Sequence, residues 1–165
     1  MSNKYSKLVD KSMWYKKDPY LDDLIEETEE LFEDAICVNK LDFEDFVNKF
    51  MKSKVKSLVD MRSPKECGWL PNEIMELLLK ETDIKSDNGC YYRPDLAYWL
   101  GAFYTLLQYK TQIPSRYLID IVPIQEMMRR APGLHDIYLP DVVDKIIKER
   151  GLPMTVNKNP ENILL

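Results

Sequence analysis

The stretch AYWLGAFYTLLQYKT, residues 97–111, decides the fold of this chain. It belongs to a segment, 91–109, that holds seven of the eighteen aromatic residues of the protein. Apolar side chains recur along it at three- and four-residue spacing, in two stripes that together cover almost the whole circumference of a helix. A helix that is apolar nearly all round is buried, so we predict a central helix from about residue 94 to residue 110, in the middle of the core.

Gly101 lies in the middle of this predicted helix. Glycine costs about 1 kcal/mol in helix propensity relative to alanine. Its missing side chain lets another helix approach closely, so we expect a neighbouring helix to cross at this position.

Helical periodicity extends along most of the chain, with no convincing strand longer than three residues. Asp18-Pro19 and Asp42 are predicted helix starts, because Asp accepts hydrogen bonds from the unpaired amides of a first turn and Pro suits the first helical position. These starts predict an antiparallel hairpin over residues 18–61, whose lysines face water, while Pro and Gly predict a turn at 131–133. The other predicted helices cover 72–81, 115–122, 124–130 and 141–150.

The predicted fold class is therefore all-α, in a single-domain bundle of about six to eight helices. An N-terminal amphipathic helical hairpin is expected to pack on a C-terminal helical core around the central aromatic helix. A length of 165 residues fits one domain. Composition divides residues 1–165 into a basic arm (1–17), an acidic and basic hairpin (18–61), the helical core (71–150) and an irregular tail (151–165).

Bulk properties place the chain among cytoplasmic globular proteins. No window approaches the roughly 18 apolar residues of a membrane span, and the N-terminus lacks the apolar centre of a signal peptide. The three cysteines lie at wide spacings without a C-x-x-C pair. We expect them to be free, partly buried thiols in a reducing compartment.

The residues that catalysis usually needs are scarce. His135 is the only histidine, which excludes zinc sites built on paired histidines. The chain has no phosphate-binding glycine loop. Carboxylates at positions 26, 29, 30 and 33 share a helical face, but no histidine follows at the spacing of metal-binding carboxylate bundles. The sequence thus predicts no enzyme, no metal and no cofactor, with His135 as a turn residue bonded to backbone.

Charge is distributed unevenly, although the net charge is only -5. Nine acidic residues and no Lys or Arg occur between Asp18 and Asn39. Such a run is ordinarily a solvated helix face. Alternatively, it imitates a phosphate backbone and occupies a basic groove on another protein. The candidate contacts for that role are Glu26, Glu27, Glu30 and Glu33. An acidic chain without an arginine-rich recognition helix is not expected to bind nucleic acid directly.

Several short motifs follow one another through residues 98–147. They are W-L-G-x-x-Y (99–104), Thr111, Ser115, a short helix with Met127 and Met128, P-G-x-H (132–135) and a closing D-x-x-D-x-I helix. In these motifs the segment resembles small bacterial antitoxin-like proteins. Those proteins are encoded in Gram-positive bacteria and mobile elements, beside small toxins of the ADP-ribosyltransferase type.

The resemblance implies that the chain neutralises a partner protein by direct binding, without a cofactor and without turnover. It implies partner contacts from the aromatic helix and from the short helices and turn that follow. The residues concerned are Tyr98, Tyr104, Tyr109, Arg129, Arg130 and His135.

Three classes of function therefore stay open. The first is the antitoxin-like protein-binding module. The second is a phage or mobile-element inhibitor of a bacterial defence system, anti-CRISPR-like, or of a nucleic-acid-binding enzyme, acting through the acidic helix. The third is a helical enzyme with an unrecognised site around His135 and the tyrosines.

Overall fold

The computed structural model describes residues 4–9, 20–61, 68–87 and 91–154. Within them the protein is all-helical, with eight α-helices around one packed core, as the periodicity predicts. The helices are α1 (Leu21–Cys37), α2 (Phe43–Met51), α3 (Lys54–Asp60), α4 (Pro71–Glu81), α5 (Pro94–Thr111), α6 (Ser115–Ile121), α7 (Ile124–Leu134) and α8 (Leu139–Arg150). A short 3-10 helix, Ser6–Leu8, precedes them.

Helix α5 is the central helix, which confirms the interpretation of the aromatic stretch. Fourteen of its eighteen residues are buried, and α1, α7 and α8 all pack against it. Its buried polar groups have partners inside the fold. The Tyr104 hydroxyl donates to the Val122 carbonyl at 2.7 Å, and the Lys110 ammonium contacts a carboxylate oxygen of Asp144 at 2.7 Å.

Helix α1 crosses α5 at Gly101, also as expected. A Cβ atom on Gly101 would lie 2.6 Å from the Thr28 carbonyl oxygen and 2.9 Å from the Cα atom of Glu29. A Cβ atom has no hydrogen bond to make and does not approach other heavy atoms this closely, so only glycine allows the two backbones this separation. The close approach of α1 and α5 therefore depends on a single residue, Gly101.

Phenylalanine rings hold α1 against α2 in the N-terminal hairpin. The Phe32 ring of α1 meets Phe43, Phe46 and Phe50 of α2 edge-on, with ring centroids 5.5–5.9 Å apart. Edge-to-face packing at this distance is favourable beyond the buried area alone. These contacts fix the face of α1 that points inward.

Of the two predicted helix starts in the hairpin, only Asp42 lies in the described part of the chain. The Asp42 side chain accepts a hydrogen bond from the Asp45 amide at 2.8 Å, which confirms this N-cap. The expected start at Asp18-Pro19 lies outside the described residues. The prediction of one continuous second helix in the hairpin is wrong. The Ser53 hydroxyl accepts a hydrogen bond from the Lys56 amide at 3.0 Å and starts α3 as a separate helix.

The expectation that the hairpin lysines face water is also wrong for Lys56. Its side chain is 3% exposed and lies 3.2 Å from a carboxylate oxygen of Asp60. Asp60 in turn accepts hydrogen bonds from the amide and the hydroxyl of Ser115 at the start of α6, at 2.7 and 2.9 Å. The ion pair is therefore a buried link between the hairpin and the C-terminal core.

The predicted turn at 131–133 is wrong as well, because α7 continues to Leu134 with Pro132 inside it. Proline has no N–H to donate to the carbonyl four residues earlier, which belongs to Met128. The Tyr92 hydroxyl donates to that carbonyl at 2.8 Å instead. A residue from before α5 thus satisfies the group that proline leaves open.

Candidate partner-binding surface

The outer side of α1 is the most strongly charged helix surface in the described part of the chain. Eight of its seventeen residues are acidic and none is Lys or Arg. The inner side carries the buried residues Leu24, Leu31 and Phe32, so the helical period places the acidic residues on the other sides, where they are exposed or half-buried. We call Glu26, Glu29, Glu30 and Glu33 the acidic face, because they lie at i, i+3, i+4 and i+7 on one side of the helix.

No described Lys or Arg forms an ion pair with a carboxylate of α1. Some acids elsewhere in the described fold do have such partners. Both carboxylate oxygens of Glu149 accept from the Arg130 guanidinium, at 2.9 and 3.0 Å, and these bonds lower the pKa of Glu149. Glu126 accepts from Arg130 and Arg150. Helix α1 thus combines eight acidic residues with no ion pair to a described Lys or Arg.

Two carboxylates of α1 have their pKa raised from 4.5 to about 7. For Glu27 the main cause is partial burial, followed by the charges of Asp23 and Glu30. One carboxylate oxygen of Glu27 is buried and has no hydrogen-bond partner among the described residues. For Glu29 the causes are again burial first, then Glu26 and Glu30. A nearby cation would relieve this repulsion, and no Lys or Arg of the described ranges forms an ion pair with either carboxylate.

Tyr98 of α5 lies beside the acidic face. Partial burial raises the pKa of its hydroxyl, and the charges of Glu29, Glu26, Glu30 and Glu33 add to the shift. The side chain is only partly buried, so one of the three predicted contact tyrosines joins this surface. The structure thus brings together Tyr98 with Glu26, Glu30 and Glu33. Glu27 points to the other side, where Glu73 of α4 contributes to its pKa shift.

The other two tyrosines are not accessible, and the expectation of surface contacts from them is wrong. Tyr104 is 1% exposed and Tyr109 is 6% exposed. Both lie on α5, where the neighbouring helices cover nearly the whole circumference. They stabilise the core and offer no side-chain surface to a partner.

The three predicted polar contacts on α7 and directly after it are not bonded to the acidic face. Arg129 is exposed, and Arg130 is held by Glu126 and Glu149. The Nδ1 atom of His135 lies 3.2 and 3.0 Å from the carbonyl oxygens of residues 131 and 132, and it carries a proton because carbonyls only accept. No hydrogen bond or ion pair joins these three residues to α1.

A surface groove that the sequence did not predict opens where α1 ends beside α4. We call it the α1–α4 groove, and its volume is about 290 Å³. Its lining residues are Asp34, Val38, Asn39, Pro71, Asn72, Met75, Glu76 and Leu79. The sequence signal for the groove is weak, since its two exposed apolar residues, Val38 and Leu79, lie 41 positions apart in the chain.

Some classes of site are not seen in the described residues. They hold no group of three or more His, Cys, Asp or Glu side chains arranged to bind a metal ion. None of their helices combines the length and the apolar character that crossing a membrane requires. Cys37 is exposed, whereas a partly buried thiol was expected, and Cys67 and Cys90 lie outside the described residues.

Comparison with family models, with curated proteins and with solved structures finds no match for this chain. The function therefore has to be proposed from the surface chemistry and from the motifs of the sequence.

Proposed function

We propose that the chain is a non-enzymatic, cytoplasmic protein-binding module that neutralises a partner protein by direct contact, as antitoxin-like proteins do. The observation that carries the proposal is the acidic face of α1, whose carboxylates have no cationic partner in the described fold. The motifs of residues 98–147 support the antitoxin-like form of the activity. Arg129 and His135 are further contact candidates on a separate part of the surface.

Electrostatics specifies the kind of partner surface. Repulsion among the carboxylates of α1 weakens when lysine or arginine side chains approach, so a basic surface binds with a gain that folding alone does not provide. Charge of one sign also accelerates encounter with an oppositely charged protein, and added salt reduces this effect. Tyr98 at the edge of the acidic face offers an aromatic contact of the type enriched in interfaces.

A second candidate function uses the same surface. The acidic face presents a row of negative charges along a helix, which can occupy the basic groove of a nucleic-acid-binding enzyme in place of a phosphate backbone. The partner would then be an enzyme of a bacterial defence system or another enzyme that handles nucleic acid. Competition separates the two functions, since double-stranded DNA displaces such a mimic from its partner and leaves an antitoxin bound to its toxin.

The test combines capture with charge reversal. The tagged protein is used to isolate a partner from an extract of the source organism, and the partner is identified, purified and titrated with wild type and with Glu26→Lys/Glu30→Lys/Glu33→Lys. The proposal expects this variant to lose binding and to lose rescue of growth when it is co-expressed with the partner. A matched variant, Glu44→Lys/Asp83→Lys/Asp120→Lys, makes the same charge change at exposed acids outside α1 and is expected to keep both.

The proposal is overturned if the folded α1 variant binds its partner as tightly as wild type does. It is also overturned if the matched variant loses as much affinity, because net charge would then explain the effect.

A further inference from the structure

The α1–α4 groove combines an apolar floor with acidic walls. Met75 is buried at its base, while Val38 is 68% exposed and Leu79 is 41% exposed at its mouth. The carboxylates of Asp34 and Glu76 stand on the two sides. Glu76 has one cationic neighbour, Lys80 at 3.3 Å, in an exposed pair that contributes little stability.

Acidic residues continue from the groove along the side of α1 that faces α4. Asp23, Glu27 and Asp34 precede Val38 at offsets of 15, 11 and 4 residues, which place them on one side of the helix. Glu73 of α4 is close enough to raise the pKa of Glu27 further. The α1–α4 groove therefore lies at the end of a track of negative charge.

We propose that the α1–α4 groove binds an amphipathic helical segment of a partner protein, with one large apolar side chain in the pocket and lysines or arginines on the flanking turns. This inference rests on the proposed function, because it takes the partner to be a protein, and it specifies the element that is recognised. Charge complementarity selects a basic segment, and the apolar floor selects a segment with a hydrophobic anchor.

The form of the partner segment follows from what the groove offers. Binding of an extended peptide by strand addition needs an exposed strand edge. The described residues contain only the single isolated bridge between Leu41 and Ser86. A helix lying against α1 and α4 needs no backbone pairing, since its anchors recur on one face at three- and four-residue spacing.

The probe is a fluorescent synthetic peptide of about 18 residues with leucines on one helical face and lysines on the other, long enough to form a helix. Binding is measured by fluorescence anisotropy. We expect saturable binding to wild type and a loss of at least about tenfold with Leu79→Asn and with Val38→Asn, which remove apolar surface without changing charge. Leu77→Asn is the matched control, because Leu77 lies on the same helix at 37% exposure and does not line the groove.

Two further peptides test the two parts of the proposal. A leucine and glutamate peptide of the same pattern is expected not to bind. A serine and lysine peptide, which keeps the charge and lacks the anchor, is expected to bind at least about tenfold more weakly. Equal binding of the serine peptide, equal weakening by Leu77→Asn, or no saturable binding of the leucine and lysine peptide would each overturn the proposal.

Failure here is distinguishable from failure of the proposed function. If wild type ignores the peptide while partner binding still depends on Glu26, Glu30 and Glu33, the groove is not the recognition site and the acidic face stands. If the groove binds the peptide while reversal of those three residues leaves partner binding intact, the proposed role of the acidic face fails alone.

Discussion

Helices α5 and α1 pack against each other at Gly101, yet their polar side chains differ in whether they have partners within the fold. On α5 the buried polar groups are bonded within the fold, as when Lys110 contacts Asp144 and the Gln108 amide donates to the Ile113 carbonyl at 3.2 Å. On α1 the acidic face has no cationic partner among the described residues. Polar groups of the first kind are bonded inside the core, and we propose that those of the second kind serve binding.

The largest effect is expected where a buried charge would lose its partner. Asp60→Ala leaves Lys56 charged at 3% exposure, and breaking a buried pair costs about 3–5 kcal/mol. Urea unfolding measures the loss. The double variant Lys56→Met/Asp60→Leu, which removes both charges, is expected to lose much less. Both variants lose the hydrogen bonds that Ser115 donates to Asp60, so an equal cost would show that those bonds, and not the unpaired Lys56 charge, cause the loss.

Gly101→Ala tests the crossing of α1 and α5. Alanine gains helix propensity, but its Cβ would lie 2.6 Å from the Thr28 carbonyl, so we expect a net loss of about 1–3 kcal/mol in unfolding free energy. Gly133→Ala is the matched control, since Gly133 also lies within a helix and a Cβ there meets nothing within 4 Å. That variant is expected to be unchanged or slightly more stable. Equal effects of the two variants would contradict the close crossing.

Tyr104→Phe removes the hydroxyl that donates to the Val122 carbonyl inside the core. We expect a loss of about 1 kcal/mol, because the buried acceptor loses its hydrogen bond. Tyr98→Phe removes a hydroxyl at the partly exposed edge of the acidic face and is expected to leave stability unchanged. Thermal unfolding of the two variants side by side compares the two classes of tyrosine. A larger effect at Tyr98 would reverse the assignment.

The smallest effect concerns the pH dependence that α1 contributes to folding. The pKa values of Glu27 and Glu29 are about 7 in the fold and 4.5 when unperturbed, so the folded state binds more protons between those values. Their contribution therefore falls as pH rises from about 4.5 to about 7 and then stays low.

Glu27→Gln/Glu29→Gln is expected to be more stable than wild type by about 0.2–1 kcal/mol at pH 8, after screening by solvent, with little difference at pH 5. Urea unfolding at the two pH values measures it. A variant that is less stable at pH 8 would show that these carboxylates have stabilising partners.

The local sequence pattern predicted those elements whose structure depends little on residues distant in the chain. Residues 94–111 read as a buried helix because no amphipathic alternative fits an apolar circumference, and Gly101 marked the crossing because only close packing justifies its cost. Asp42 was found because an N-cap depends on residues within one turn. All-α architecture followed from these signals together.

The errors share a cause, which is dependence on residues distant in sequence. In a local window Lys56 has the pattern of a solvated lysine. Its burial depends on Asp60, which accepts a hydrogen bond from Ser115 of α6. Pro132 would ordinarily end a helix. Here the Tyr92 hydroxyl donates to the Met128 carbonyl, which proline leaves without its usual donor. The α1–α4 groove needs two helices that are separated by more than thirty residues. Such features belong to tertiary packing and leave little trace in a local window.

We propose that the acidic face of α1 serves binding and is dispensable for folding. The most direct test is the affinity of the purified partner for Glu26→Lys/Glu30→Lys/Glu33→Lys, measured on protein whose unfolding midpoint matches that of wild type. The account predicts that affinity falls by about a hundredfold or more, since several charge pairs across the interface become repulsive. Unchanged affinity in the folded variant would contradict it.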